Sequence, residues 1–129
     1  MRHKILIIED NPDQSVMLQT ALQHHGYAVV SAPGAQQGLL FAEMHRPGLI
    51  LLDIGLVGHM DGWEVLQKLK ATPETAIIPV MIVSAQGNED SIQQAQIAGA
   101  ADYLKKPYEV SELILRVQHI LASRSLPSQ

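Results

Sequence analysis

The chain has 129 residues, room for one domain with a substantial core and too little for two. Hydrophobic residues make up 47% and charged residues 17%, and no stretch approaches the ~18 continuous apolar residues of a membrane span, so no membrane segment is expected. The absence of Cys excludes disulfides, thiolate metal sites and cysteine nucleophiles, and a net charge of −4 with nine scattered basic residues argues against direct nucleic-acid binding. Met1-Arg2-His3-Lys4 runs straight into an apolar segment without a signal-peptide pattern, so a cytoplasmic location is expected.

Lys4-Ile5-Leu6-Ile7-Ile8 has the length and character of a buried strand, and it ends in two adjacent acids, Glu9 and Asp10. Asn11-Pro12 predicts a helix start, with Asn as N-cap and Pro in the first turn. Leu18, Ala21, Leu22 and His25 then fall at helical spacing, and Gly26 closes the helix. Ala28-Val29-Val30 reads as a short strand. Pro33-Gly34 opens a helix to about His45, with Ala35, Gly38, Leu39 and Ala42 on its core stripe and Leu40 and Met44 outside it. Leu49-Ile50-Leu51-Leu52, bracketed by Pro47-Gly48 and Gly55, suits a strand buried on both faces of a parallel sheet. Asp53 falls at its carboxyl end, the edge where open α/β sheets place ligand sites.

A loop from Ile54 to Met60 follows, and Asp61 caps a helix carrying Trp63, Leu66 and Leu69 that ends at Thr72-Pro73. Ile77 to Val83 predicts a fourth strand, with Pro79 tolerable only near its start, finishing at Ser84-Ala85. Glu89 to Ala98 predicts a helix with little to bury beyond Ile92, Ala95 and Ala98, hence the least firmly anchored one. Ala101 to Leu104 is a fifth short strand, and Lys105-Lys106-Pro107-Tyr108 turns into a last helix. There Val110, Leu113, Ile114, Val117, Ile120 and Leu121 repeat with strong amphipathic spacing. Residues 1–123 are read as one domain and 124–129 as a C-terminal tail or linker stump. Five strands alternating with five helices indicate an α/β fold with a parallel sheet.

If the strands are parallel, their carboxyl ends bring together Glu9, Asp10, Asp53, Ser84 and either Lys105 or Lys106. Taken singly, each reads as a turn residue, a cap or a solvated lysine. Gathered at one edge they read as a site. Three carboxylates and one lysine leave a formal charge of about −2, which calls for a cation, and hard oxygen donors without His or Cys favour Mg²⁺. A carboxylate beside Mg²⁺ suits aspartyl-phosphate chemistry, with an ammonium and a hydroxyl as further donors to the phosphoryl group. The six His residues are dispersed and have no ligand spacing.

From residue 4 to about 122 the chain resembles a response regulator receiver domain of a two-component phosphorelay. The resemblance rests on Ile7-Ile8-Glu9-Asp10-Asn11, Leu51-Leu52-Asp53, Met60-Asp61-Gly62-Trp63, Val83-Ser84-Ala85, Gly99-Ala100 and Asp102-Tyr103-Leu104-Lys105-Lys106-Pro107-Tyr108. It implies a flavodoxin-like, doubly wound five-stranded sheet of order 2-1-3-4-5 with five helices. It implies that Asp53 takes a phosphoryl group from a phosphohistidine of a sensor histidine kinase or histidine phosphotransfer protein. It also implies that Glu9, Asp10, Asp53 and the backbone carbonyl of Gly55 bind Mg²⁺, with Mn²⁺ as a substitute. Ser84 and Lys106 are implied as phosphoryl contacts, and Ser84 and Tyr103 as the conformational switch. Lys106 is the matching lysine because it directly precedes Pro107; that peptide bond is often cis in the family.

The chain departs from the family pattern after Asp53. Val57 stands where a Pro is usual, the loop from Gly55 to Met60 is one residue longer, and its two glycines suggest greater mobility. With Gly55 lacking a side chain, Gln86 becomes the candidate to govern spontaneous dephosphorylation. Asp102 and Arg116 match positions through which one receiver subfamily dimerises by its last strand and helix, although Ile92 and Gln93 replace the partner lysine. Two other readings stand beside the phosphoacceptor. One is a degenerate receiver acting only as an interaction module. The other is a phosphohydrolase with an aspartyl-phosphate intermediate, disfavoured because the residue two beyond Asp53 is Gly55 and not an acid.

Overall fold

The computed structural model describes residues 3–56, 58, 60–85 and 88–125. The strands are β1 (Lys4–Ile8), β2 (Ala28–Ala32), β3 (Leu49–Leu52), β4 (Val80–Ser84) and β5 (Asp102–Lys105), all parallel, in the order β2-β1-β3-β4-β5. The helices are α1 (Pro12–His24), α2 (Ala35–His45), α3 (Gly62–Ala71), α4 (Pro73–Ala76), α5 (Glu89–Ile97) and α6 (Val110–Ser125). The expected flavodoxin-like sheet order is the observed one, with six helices in place of five.

Strand side chains alternate between two cores, as a doubly wound sheet requires. Ile5, Ile7, Leu49, Leu51, Met81 and Val83 face α1 and α6. Leu6, Ile8, Ile50, Leu52, Val80 and Ile82 face α2, α3 and α5. On α6, Leu113, Ile114, Val117, Ile120 and Leu121 are buried. On α5 only Ala95 is, as the small side chains of that segment foretold. Asn11, Asp61 and Asn88 cap α1, α3 and α5, each accepting a hydrogen bond from the backbone N–H three residues on.

Several expectations are corrected. The extra helix is α4: Pro73 sits in its first turn, and Thr75 is buried and donates its hydroxyl to Leu69 O at 2.7 Å. That turn occupies chain read as the approach to a strand, so Ile77 is 76% exposed and β4 starts at Val80, after Pro79. β2 runs two residues further than predicted, and β5 is shifted by one. His25 leaves the core stripe because it is the C-cap of α1, exposed, with Nδ1 3.0 Å from Ala21 O. Val110 is 47% exposed because it is the first residue of α6, ahead of the stripe that meets the sheet. Residues 126–129 of the predicted tail lie outside the described residues.

Candidate functional site

Parallel pairing aligns the carboxyl ends of the central strands. Ile8 pairs with Leu52 and Ser84 with Lys105, so the residues that follow β1, β3 and β5 emerge together. The backbone continues the ladder past the strands: Glu9 N–H donates to Ala32 O at 3.1 Å, Asp53 N–H to Ile8 O at 3.0 Å, and Lys106 N–H to Ser84 O at 2.8 Å. Each functional side chain therefore leaves a main chain that is already held. α3 closes in from below Asp53. Gly62 N–H donates to Ile54 O at 3.2 Å, and a Cβ at Gly62 would lie 2.4 Å from the Ile54 Cα, so only glycine admits this approach.

Glu9, Asp10 and Asp53 each present a carboxylate oxygen to one place, these atoms lying within 4.8 Å of one another. Lys106 Nζ stands 2.9 Å from Glu9 Oε1 and 3.5 Å from Asp53 Oδ2, and it also donates to Gln14 Oε1. Asp53 Oδ1 accepts the Gly55 N–H at 2.9 Å. Glu9 is only 3% exposed and accepts the Asn11 N–H at 3.2 Å through Oε2. Burial pushes its carboxyl above the usual range, with Lys106 and the Asn11 N–H opposing and the Asp53 charge adding to the rise. Burial and the Glu9 charge likewise raise Tyr108, which with Gln14, Met17 and Pro107 lines a cavity of about 360 Å³ beside Lys106.

Three convergent carboxylates, one of them desolvated and resistant to ionising, with a single ammonium among them, form an oxygen-donor set short of positive charge. That suits a small hard divalent cation that keeps part of its water shell. The expected residues Glu9, Asp10, Asp53 and Lys106 are thus adjacent. Lys105, the other sequence candidate, is exposed at the end of β5. Ser84 is buried at the end of β4, and Tyr103 is partly buried against the α2/α3/α5 core. The Lys106-Pro107 bond is cis.

Asp102 and Arg116 meet within the chain: Arg116 Nη1 donates to Asp102 Oδ1 at 2.7 Å and to Tyr103 O at 3.3 Å. Gln86, Val57 and His59 lie outside the described residues. In the segment after Asp53, Ile54 and Leu56 are buried. Gln14 was missed. Its contact with Lys106 spans 92 positions, and the only local hint was a polar side chain in the first turn of α1.

Residues 5–118 match the response regulator receiver domain family. The chain is 37% identical over 118 residues to the DNA-binding dual master transcriptional regulator RpaA of Synechocystis, covering 92% of this chain and 48% of that protein. It is 34% identical over 125 residues to sporulation initiation phosphotransferase F of Bacillus subtilis, covering 97% of this chain and 98% of that protein. It therefore spans about half the length of some curated relatives and nearly all of others. Its backbone matches the receiver domain of a Pseudomonas aeruginosa sensor histidine kinase, solved with a magnesium ion coordinated in its active site cleft. That match has a TM-score of 0.86 and 27% identity, over 95% of this chain and 99% of that one.

Proposed function

The chain belongs to the response regulator receiver domain family of two-component signalling, and from that premise we propose that Asp53 is its phosphoacceptor. The observation that carries this reading is the gathering of the Glu9, Asp10 and Asp53 carboxylate oxygens within 4.8 Å, with the Lys106 ammonium 3.5 Å from Asp53. The donor is a phosphohistidine on a sensor histidine kinase or histidine phosphotransfer protein. An Asp53 carboxylate oxygen attacks phosphorus and the P–N bond breaks. The bond pair leaves with the imidazole nitrogen, which takes a proton from solvent.

Glu9, Asp10, Asp53 and the Gly55 backbone carbonyl would hold Mg²⁺, or Mn²⁺ in its place; bound there, the ion offsets charge on the phosphoryl oxygens. The magnesium in the Pseudomonas relative's cleft supports this assignment. Lys106 supplies a fixed positive charge beside the attacked phosphorus. Ser84 donates its hydroxyl to the bound phosphoryl group, and its movement lets Tyr103 turn inward. The product is a shifted conformational population in the cytoplasm, not a released metabolite. Phosphorylation would also favour a homodimer through β5 and α6, in which the Asp102–Arg116 pairs re-form between subunits.

Incubation with acetyl phosphate and Mg²⁺, followed by intact-protein mass spectrometry, tests the reading. A phosphoryl adduct is expected on the natural chain and absent from Asp53→Asn or in the presence of a chelator. An unmodified natural chain would favour an interaction-only receiver, and rapid turnover of an added phosphomonoester would favour a phosphohydrolase.

A further inference from the structure

Among the described residues, Lys106 Nζ has three oxygen neighbours, and two of them, Glu9 Oε1 at 2.9 Å and Asp53 Oδ2 at 3.5 Å, belong to carboxylates of the acid cluster. The third is the amide oxygen of Gln14, a neutral acceptor outside that cluster. A cation drawn to Glu9 and Asp53 competes with the ammonium for both. It does not compete for Gln14 through charge.

Gln14 is well placed to keep its hold. Its backbone N–H donates to the Asn11 side chain at 3.0 Å in the capped first turn of α1, after Pro12. The Lys106 backbone is fixed on the other side by its hydrogen bond to Ser84 O. Between these anchors the flexible lysine stem has few ways to swing away.

Resting on the phosphoacceptor reading, we propose that Gln14 is a positioning residue for phosphoryl transfer: its amide oxygen holds the Lys106 ammonium beside Asp53 while the cation engages the carboxylates. Gln14 itself touches neither phosphorus nor metal. Its effect is transmitted through Lys106, and that makes the role separable from a contribution to helix stability.

The test follows adduct formation with phosphoramidate at saturating Mg²⁺ for Gln14→Ala and Gln14→Glu, each alone and combined with Lys106→Met. Gln14→Ala should slow phosphorylation on the order of tenfold, less than direct loss of a charge-stabilising donor. Gln14→Glu keeps an acceptor and should recover most of the rate. In the Lys106→Met background, changing Gln14 should slow the residual rate no further, a coupling that mere destabilisation of α1 would not produce. In metal-free protein, the ¹⁵N-detected Lys106 ammonium resonance should broaden through faster solvent exchange in Gln14→Ala. An unchanged rate in Gln14→Ala, an equal slowing with and without Lys106, or an unaltered ammonium resonance would overturn the proposal. If the natural chain takes up no phosphoryl group, the phosphoacceptor reading fails, while the resonance still tests the Gln14 hold.

Discussion

The helices α5 and α6 flank the same strand and are anchored very differently. α6 buries five large aliphatic side chains, Leu113, Ile114, Val117, Ile120 and Leu121, whereas α5 buries only Ala95. β5, between them, carries Tyr103 toward the α5 side and leads into Lys106 at the site. The Lys106 backbone is fixed by its bond to Ser84 O shortly before the deeply packed α6, while the proposed switch residue rests beside a helix that buries a single alanine. A protein that must keep a charge in place yet let an aromatic side chain move divides its packing in this way. Elements with few buried contacts open at low cost.

The largest test of that contrast is the stability lost on truncating each anchor. Leu113→Ala should cost ~2–5 kcal/mol, the range for a fully buried leucine, while Ala95→Gly should cost only ~1 kcal/mol, chiefly through helix propensity. Urea denaturation of the two variants reads this directly. Equal losses would mean that α5 is held by something other than its buried face.

The contrast was legible in advance, because α6 repeats large apolar residues at helical spacing and α5 does not. The strands β1 and β3 and the acids that follow them were equally legible, since a buried parallel strand is a short apolar run and a terminal carboxylate stands out against it. α4 was not. Thr72-Pro73 reads as a stop, yet a Pro also starts a helix, and only the tertiary burial of Thr75 decides between the two. Nor could periodicity find the Gln14–Lys106 contact, which depends on α1 and the segment after β5 meeting above the sheet. Nor does spacing single out Ile54 and Leu56, which flank Gly55 and are both buried in the core.

The anchored side should also carry pH sensitivity. Burial raises the Glu9 carboxyl above its ordinary value of 4.5, so the folded chain binds that proton more tightly than the unfolded chain does. Glu9 therefore contributes stability that is full below 4.5 and is lost as pH rises through its folded value. Binding of Mg²⁺ needs the ionised form and runs the other way. Below the folded Glu9 value, Mg²⁺ affinity should fall by up to about tenfold per pH unit, or ~1.4 kcal/mol. Calorimetric titration of the natural chain and Glu9→Gln across that window checks this. The decline should begin at higher pH than an ordinary glutamate would give, and Glu9→Gln should weaken binding and lose this part of the pH dependence.

The smallest expected effect lies at the surface where α6 meets β5. Arg116 bonds Asp102 at 2.7 Å and stands 3.6 Å from Glu112, but all three side chains are partly or largely in water. Solvent screening and the entropy of fixing long side chains leave such pairs with little net worth, so Arg116→Ala should change monomer stability by no more than ~1 kcal/mol. If the pair matters, it matters through assembly. Arg116→Ala and Asp102→Ala should each reduce dimerisation of the phosphorylated chain, measured by sedimentation, while leaving phosphorylation itself unchanged. A phosphorylated natural chain that stays monomeric would remove β5 and α6 as a dimer face. The Asp102–Arg116 pair would then be an internal strut, tying the lightly held switch strand to the firmly anchored helix.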